Sequence, residues 1–162
     1  MRPFAFAATL LCAGCLPAEY LRIEYIARNM DCASCVDSLD GRLKKIKGVK
    51  SAESKPQEGR VTVVLAPENT VRLERVRDDI KNAGFPVGEA RVVVRGRIVT
   101  AEGKWRLEVA GIEQVLAVSV AEAALIDKLR EAGGKTITLA GSIPPPPDPR
   151  TQLVLEISAM LP

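Results

Sequence analysis

Two hydrophobic periodicities alternate through the first half of this chain, and they constrain its fold more than any other feature. Three stretches have the pattern of strands: residues 21–27, 61–65 and 88–94. Two stretches repeat apolar residues at helical spacing: residues 35–46 and 73–83. A glycine ends each helical stretch, at Gly48 and Gly84, and Asn69 or Thr70 is placed to cap the second helix. With a further strand implied between Gly48 and a polar turn at residues 55–59, the order is the βαββαβ unit of the ferredoxin-like type.

The second half has a different order of elements. Strand patterns occupy residues 97–100, 106–110, 115–118, 135–143 and 152–160. A helical pattern at residues 121–131 precedes the last two strands, with Ala124, Leu125 and Leu129 on its inner side. Three strands, a helix and two strands is the order of an OB-fold. The predicted fold class is therefore α+β: a ferredoxin-like domain at residues 19–94 and a small OB-fold-like β-barrel at residues 95–162.

No flexible linker separates the two predicted domains, so we expect them to touch. The proline run at residues 144–147 lies between two predicted strands and is interpreted as a stiff loop.

The absence of histidine limits the chemistry. None of the 162 residues is histidine, so the commonest metal ligand and general base are both missing. The cysteines are Cys12, Cys15, Cys32 and Cys35. A disulfide across two intervening residues closes almost no loop and would stabilise the fold little, so the C-x-x-C pair is better explained by a chemical role than by a structural one.

The N-terminus has the pattern of an export signal. Arg2 precedes an apolar stretch at residues 4–11 that is too short to span a bilayer. Ala13-Gly14 before Cys15 resembles the lipobox of bacterial lipoproteins, although Cys12 stands where that family usually has leucine. The resemblance implies a signal over residues 1–15, lipid on Cys15 and a periplasm-facing protein, with the outer membrane favoured. Ordinary signal-peptide cleavage is the alternative. Lipid would be the only membrane anchor.

The candidate site is the segment Asn29-Met30-Asp31-Cys32-Ala33-Ser34-Cys35, between a predicted strand and a predicted helix. A helix N-terminus stabilises thiolates, and thiolates select soft ions such as Cu(I), Hg(II) and Cd(II), with Zn(II) also accepted. The segment resembles the G-M-x-C-x-x-C motif of the heavy-metal-associated domain, found in copper chaperones, metal-exporting P-type ATPases and the periplasmic mercury-binding protein. Asn29 replaces the usual glycine.

The resemblance implies roles for three more residues. Asp31 resembles the aspartate of zinc, cadmium and lead exporters and is a candidate third ligand, with a solvated loop acid as the alternative. Met30 is expected in the core, supporting the loop, rather than on the metal. Phe85 in Ala-Gly-Phe-Pro resembles an aromatic position of the mercury-binding protein and is expected beneath the metal loop, or simply in the core.

A nucleic-acid partner is disfavoured by charge. Residues 93–162 contain eight basic and eight acidic residues, and Trp105 is their only aromatic. The basic run at residues 42–47 is interpreted as a solvated helix face.

These observations predict a protein that is not an enzyme and that binds one soft metal ion, Cu(I) or Zn(II)/Cd(II)/Hg(II). It would scavenge, carry or sense the ion, with a metal transporter or another periplasmic protein as partner. The alternatives are a thiol–disulfide oxidoreductase and an adaptor that binds no metal. A thioredoxin-like W-C-x-x-C context for the first alternative is missing.

Overall fold

The computed structural model describes residues 19–148 and 151–162. The strands are β1 Glu19–Ala27, β2 Val49–Lys55, β3 Arg60–Leu65, β4 Val87–Ala101, β5 Lys104–Val109, β6 Gln114–Val120, β7 Thr136–Ile143 and β8 Val154–Leu161. The helices are α1 Ala33–Leu43, α2 Leu73–Asn82 and α3 Ala123–Glu131. The fold is α+β, as predicted. The expected signal peptide and Cys15 lie outside the described residues. No helix in the described ranges is long and apolar enough to cross a membrane.

The first half is ferredoxin-like. Its strands lie in the order β2-β3-β1-β4, and every neighbouring pair is antiparallel. Ile23 at the centre of β1 stands beside Val63 of β3 and Val92 of β4, and all three side chains are buried. Alternation along these strands separates an apolar face from a charged one. Helices α1 and α2 contribute Leu39, Leu43 and Ile80 to the same core.

Strand β4 joins the two halves without a break. Its 15 residues pair with β1 through residues 87–95 and with β5 through residues 97–101. The two strands expected at residues 88–94 and 97–100 are therefore one strand. Gly96 permits this, because a Cβ there would lie 2.7 Å from the Glu108 carbonyl oxygen. The expected boundary between residues 94 and 95 lies inside this strand.

The strands of the second half form a closed circuit of pairings. β4 pairs with β5, β5 with β6, β6 with β8, β8 with β7, and β7 again with β4. Only the β6–β8 pair is parallel among these. In α3, Leu125 and Leu129 are buried, but Ala124 is exposed, so its predicted inward position was wrong. Ala132, just after the helix, is buried instead.

The proline loop lies against the first half. Pro144, Pro145 and Pro146 line a narrow gap together with Leu73 and Arg77 of α2. The loop thus contributes to the contact between the two halves of the chain.

Asn69 does not cap α2. The helix begins at Leu73, and Arg72 precedes it without a side-chain cap. Asn69 is instead buried, and both its backbone N–H and its Nδ2 donate to Glu19 Oε2, at 2.9 and 3.1 Å. Its role is to fix the start of β1 to the loop before α2.

Candidate metal centre

The candidate metal loop, residues 28–32, connects β1 to α1. Two backbone hydrogen bonds hold its start: Ala27 N–H donates to Gly59 O at 2.9 Å, and Arg28 N–H donates to Pro86 O at 3.1 Å. The loop is therefore tied to the turn before β3 and to the segment that leads into β4. Because both anchors are backbone groups, these two hydrogen bonds do not depend on the side chains of Ala27 and Arg28.

Asn29 adopts a left-handed conformation, with φ of 59°. Glycine reaches this region without steric cost, and asparagine is the residue that tolerates it next best. The departure from the family's glycine therefore preserves the turn. Asn29 is exposed, so its side chain has room on the outer side of the loop.

Cys32 is the N-cap residue of α1. Its Sγ accepts a hydrogen bond from Cys35 N–H at 3.3 Å, and its carbonyl oxygen accepts from the N–H groups of Cys35 and Val36, both at 3.1 Å. Donors at a helix N-terminus stabilise negative charge on sulfur. Ser34 Oγ also lies 3.5 Å from Cys32 Sγ, a contact that sequence reasoning missed. The only sequence signal for this contact was that Ser34 is a small polar residue in the first turn of the predicted helix.

The two sulfurs are adjacent. The structure joins Cys32 and Cys35 by a disulfide, with their Cα atoms 5.2 Å apart. Cys32 is exposed and Cys35 is half-buried at the edge of the core. In the oxidised form neither sulfur is a thiolate, so metal binding requires that two electrons and two protons first convert the disulfide to two thiols.

The residues expected to support the loop are buried. Met30 is 4% exposed and Phe85 is 5% exposed, and both belong to the hydrophobic core. Phe85 N–H donates to Ile80 O at 3.3 Å, which sets the turn after α2. Pro86, the next residue, accepts the hydrogen bond from Arg28. The turn that carries Phe85 therefore supports the start of the metal loop.

Asp31 is exposed on the loop. Within residues 19–148 and 151–162, no group of three histidine, cysteine, aspartate or glutamate side chains is arranged to hold a metal ion. A ligand role for Asp31 stays a prediction.

Residues 24–86 match the family model of the heavy-metal-associated domain. The matched segment contains Met30, Cys32 and Cys35, and it ends one residue before β4 begins. The domain and its closely spaced cysteine pair are consistent with heavy-metal binding. No curated protein matches the chain.

Several solved structures are similar to the same part of the chain. The yeast copper transporter domain Ccc2a, solved in apo and Cu(I)-loaded states, has 20% identity over 41% of this chain and 89% of its own, with a TM-score of 0.38. The CopZ metallochaperone has 26% identity over 41% of this chain and 97% of its own, with a TM-score of 0.38. The N-terminal domain of the zinc(II) ATPase ZiaA has 28% identity over 44% of this chain and 64% of its own, with a TM-score of 0.33.

Proposed function

We propose that the reduced protein binds one soft metal ion between the thiolates of Cys32 and Cys35, as cargo that it carries, stores or senses. The observation that carries the proposal is the placement of two adjacent cysteines at the start of α1, inside the segment that matches the heavy-metal-associated family. Since Cys32 is exposed, an ion can enter and leave by ligand exchange without unfolding.

The chemistry of the site restricts the ion. Two thiolates satisfy an ion that accepts near-linear coordination, as Cu(I) and Hg(II) do, whereas Zn(II) needs four ligands. Asp31 is the nearest acidic residue in sequence and is the candidate further ligand for Zn(II) or Cd(II). The proposed cargo is therefore an ion of the Cu, Zn, Cd or Hg class.

We further propose that the chain is exported and held to the membrane by lipid on Cys15. A metal transporter or another periplasmic protein is the proposed partner, because exposed thiolates exchange ions most readily with a second thiolate site. The closed circuit of β4 to β8 is proposed to be the predicted OB-fold-like barrel, serving as a scaffold or contact domain.

The disulfide in the structure favours one rival function, thiol–disulfide exchange. A dithiol partner would give two electrons to the Cys32–Cys35 bond, become a disulfide itself and leave two thiols here. This rival would be favoured if the protein oxidised a dithiol partner repeatedly and if its reduced form bound no soft ion.

The test is titration of the full chain, reduced and under anaerobic conditions, with Cu(I) and with Zn(II). We expect one equivalent to bind tightly, and Cys32→Ser and Cys35→Ser each to abolish that binding, since a single thiolate cannot hold the ion. Serine is close in size to cysteine and Cys35 lies only at the edge of the core, so circular dichroism should be unchanged.

Ser38→Ala, an exposed substitution on α1, is the matched control and should bind as the wild type does. Binding at the wild-type level by the double cysteine variant would place the site elsewhere. If the oxidised chain bound the ion as tightly as the reduced chain does, the site would likewise lie elsewhere.

Asp31→Ala tests the choice of ion. If the carboxylate is a ligand, the variant should bind Zn(II) roughly tenfold more weakly, equivalent to about 1.4 kcal/mol, while Cu(I) affinity hardly changes. Competitive titration with both ions measures the two shifts. Small and equal shifts would remove Asp31 from the ligand set and favour copper or mercury.

A further inference from the structure

Four basic side chains surround a groove between the end of α1 and the start of α2. We call this surface the basic end: Lys45, Lys47, Arg72 and Arg75. The basic run from the sequence is thus not a helix face, because α1 ends at Leu43 and the lysines lie in the turn that follows.

The charge of the basic end is only partly neutralised. Arg72 Nε lies 3.9 Å from Glu74 Oε2, and Arg75 Nε lies 3.1 Å from Asp79 Oδ2. Lys45 and Lys47 are exposed, and no acid in the described part of the chain lies within ion-pair distance of either. An excess of positive charge therefore faces outward here.

The basic end lies beside the start of β1. The turn of Lys47 and Gly48 packs on Asn69, since a Cβ on Gly48 would come within 2.8 Å of Asn69 Cβ. Asn69 in turn holds the carboxylate of Glu19, the first residue of β1. The basic end and the point where the N-terminal segment joins the domain are therefore at one end of the molecule.

The metal loop is at the other end. It follows Ala27, the last residue of β1, and nine residues of strand span roughly 30 Å. Helix α1 runs from the cysteines back toward the basic end. Contacts at the basic end therefore leave Cys32 free.

We propose that the basic end lies against anionic phospholipid headgroups and holds the metal loop pointing away from the membrane. The inference rests on the proposed lipid anchor. Glu19 is the fourth residue after Cys15, so a fully extended chain could place a lipid on Cys15 at most roughly 14 Å from the start of β1. Such proximity favours a lipid surface over an acidic protein as the occupant, because the anchor brings headgroups to these lysines at high local concentration. Each basic side chain near an anionic surface raises membrane binding about fivefold.

The experiment uses the full chain purified from membranes and reconstituted into vesicles of phosphatidylcholine, or of phosphatidylcholine mixed with phosphatidylglycerol. Mass spectrometry first establishes whether Cys15 carries lipid. Lysine acetylation then measures accessibility at each position. On the mixed vesicles, Lys45 and Lys47 should react at least about fivefold more slowly than on the neutral ones, and high salt should reverse this.

Lys81 and Lys128 are the internal controls, since both are exposed and lie outside the basic end. Their acetylation should not depend on the lipid. A variant with Arg72→Gln and Arg75→Gln should lose most of the protection at Lys45 and Lys47, whereas Arg130→Gln on α3 should keep it. Circular dichroism checks that each variant is folded.

Equal acetylation on both kinds of vesicle by a lipidated chain would overturn the proposal and point to an acidic protein as the partner. If Cys15 carries no lipid, the proposed anchor is wrong, and co-sedimentation of the protein with vesicles tests the basic end directly. Binding to the mixed vesicles that the Arg72→Gln/Arg75→Gln variant loses would support the proposal. No binding of the wild type would overturn it. Acetylation does not depend on bound metal, so failure here and failure of the metal site are separate results.

Discussion

Replacing Asn69 by alanine should destabilise the protein more than almost any other polar substitution. The Asn69 side chain is buried and makes hydrogen bonds in several directions. Its Nδ2 donates to Glu19 Oε2 at 3.1 Å, to Tyr20 O at 2.9 Å and to Ala66 O at 2.8 Å. Its Oδ1 accepts from Val71 N–H at 3.1 Å.

Alanine leaves these groups in place without their partner. The Tyr20 carbonyl and the Val71 N–H are in buried bonds, and an unsatisfied buried group costs about 1–3 kcal/mol. Among the described residues, the Glu19 carboxylate, 1% exposed, would keep the backbone donor of residue 69 and the guanidinium of Arg95, 3.6 Å from its other oxygen. The sum predicts a loss of about 3–5 kcal/mol in the free energy of unfolding.

Urea denaturation measures this loss. Unfolding should be followed both by far-ultraviolet circular dichroism and by the fluorescence of Trp105, the single tryptophan, because coincident curves establish a two-state transition. Asn82→Ala is the control: it removes the same amide from an exposed position in α2 and should change stability by less than about 0.5 kcal/mol. A loss below about 1 kcal/mol for Asn69→Ala would refute the reasoning.

Two further predictions concern charge and backbone. Burial raises the pKa of Glu24, but the hydrogen bond and charge of Arg22 and the charge of Arg60 outweigh it, so the folded pKa lies below the ordinary 4.5. Ionised Glu24 therefore contributes stability that is fully present above pH 4.5 and is lost as the pH falls through its folded pKa. Glu24→Gln should flatten this acidic part of a plot of unfolding free energy against pH. An unchanged slope in the variant would contradict the prediction. Gly41 is exposed in α1, and a Cβ added there would meet none of the neighbouring described residues within 4 Å. Gly41→Ala should therefore stabilise the protein by about 0.5–1 kcal/mol in thermal unfolding. A lowered melting temperature would contradict this prediction.

The parts of the fold that were predictable are those encoded by neighbours in sequence. The helical spacing of Leu39 and Leu43 and the alternation along β3 both reflect burial of one face, which local periodicity reports directly. The meeting of Cys32 and Cys35 was predictable for the same reason, since residues three apart at a helix start lie on one side.

Two of the errors came from long-range partners. Asn69 is of a residue type that often caps helices, but its long-range partners Glu19 and Tyr20, 50 and 49 residues earlier, give it another role. The Arg95-Gly96-Arg97 segment has the pattern of a domain boundary, but strand pairing on both edges carries β4 through it. Such pairings leave no local signal.

The sequence by itself determined the chemistry available to this protein: no histidine, a cysteine pair at the start of a helix, and side chains that alternate with the periods of strands and helices. Tertiary structure alone decided that one strand, β4, belongs to both halves, and that lysines with no ion-pair partner among the described residues gather beside the start of β1. The physical reason is distance along the chain. Periodicity and motif spacing act within a few residues, whereas pairing, burial and the position of charge depend on residues that only folding brings together.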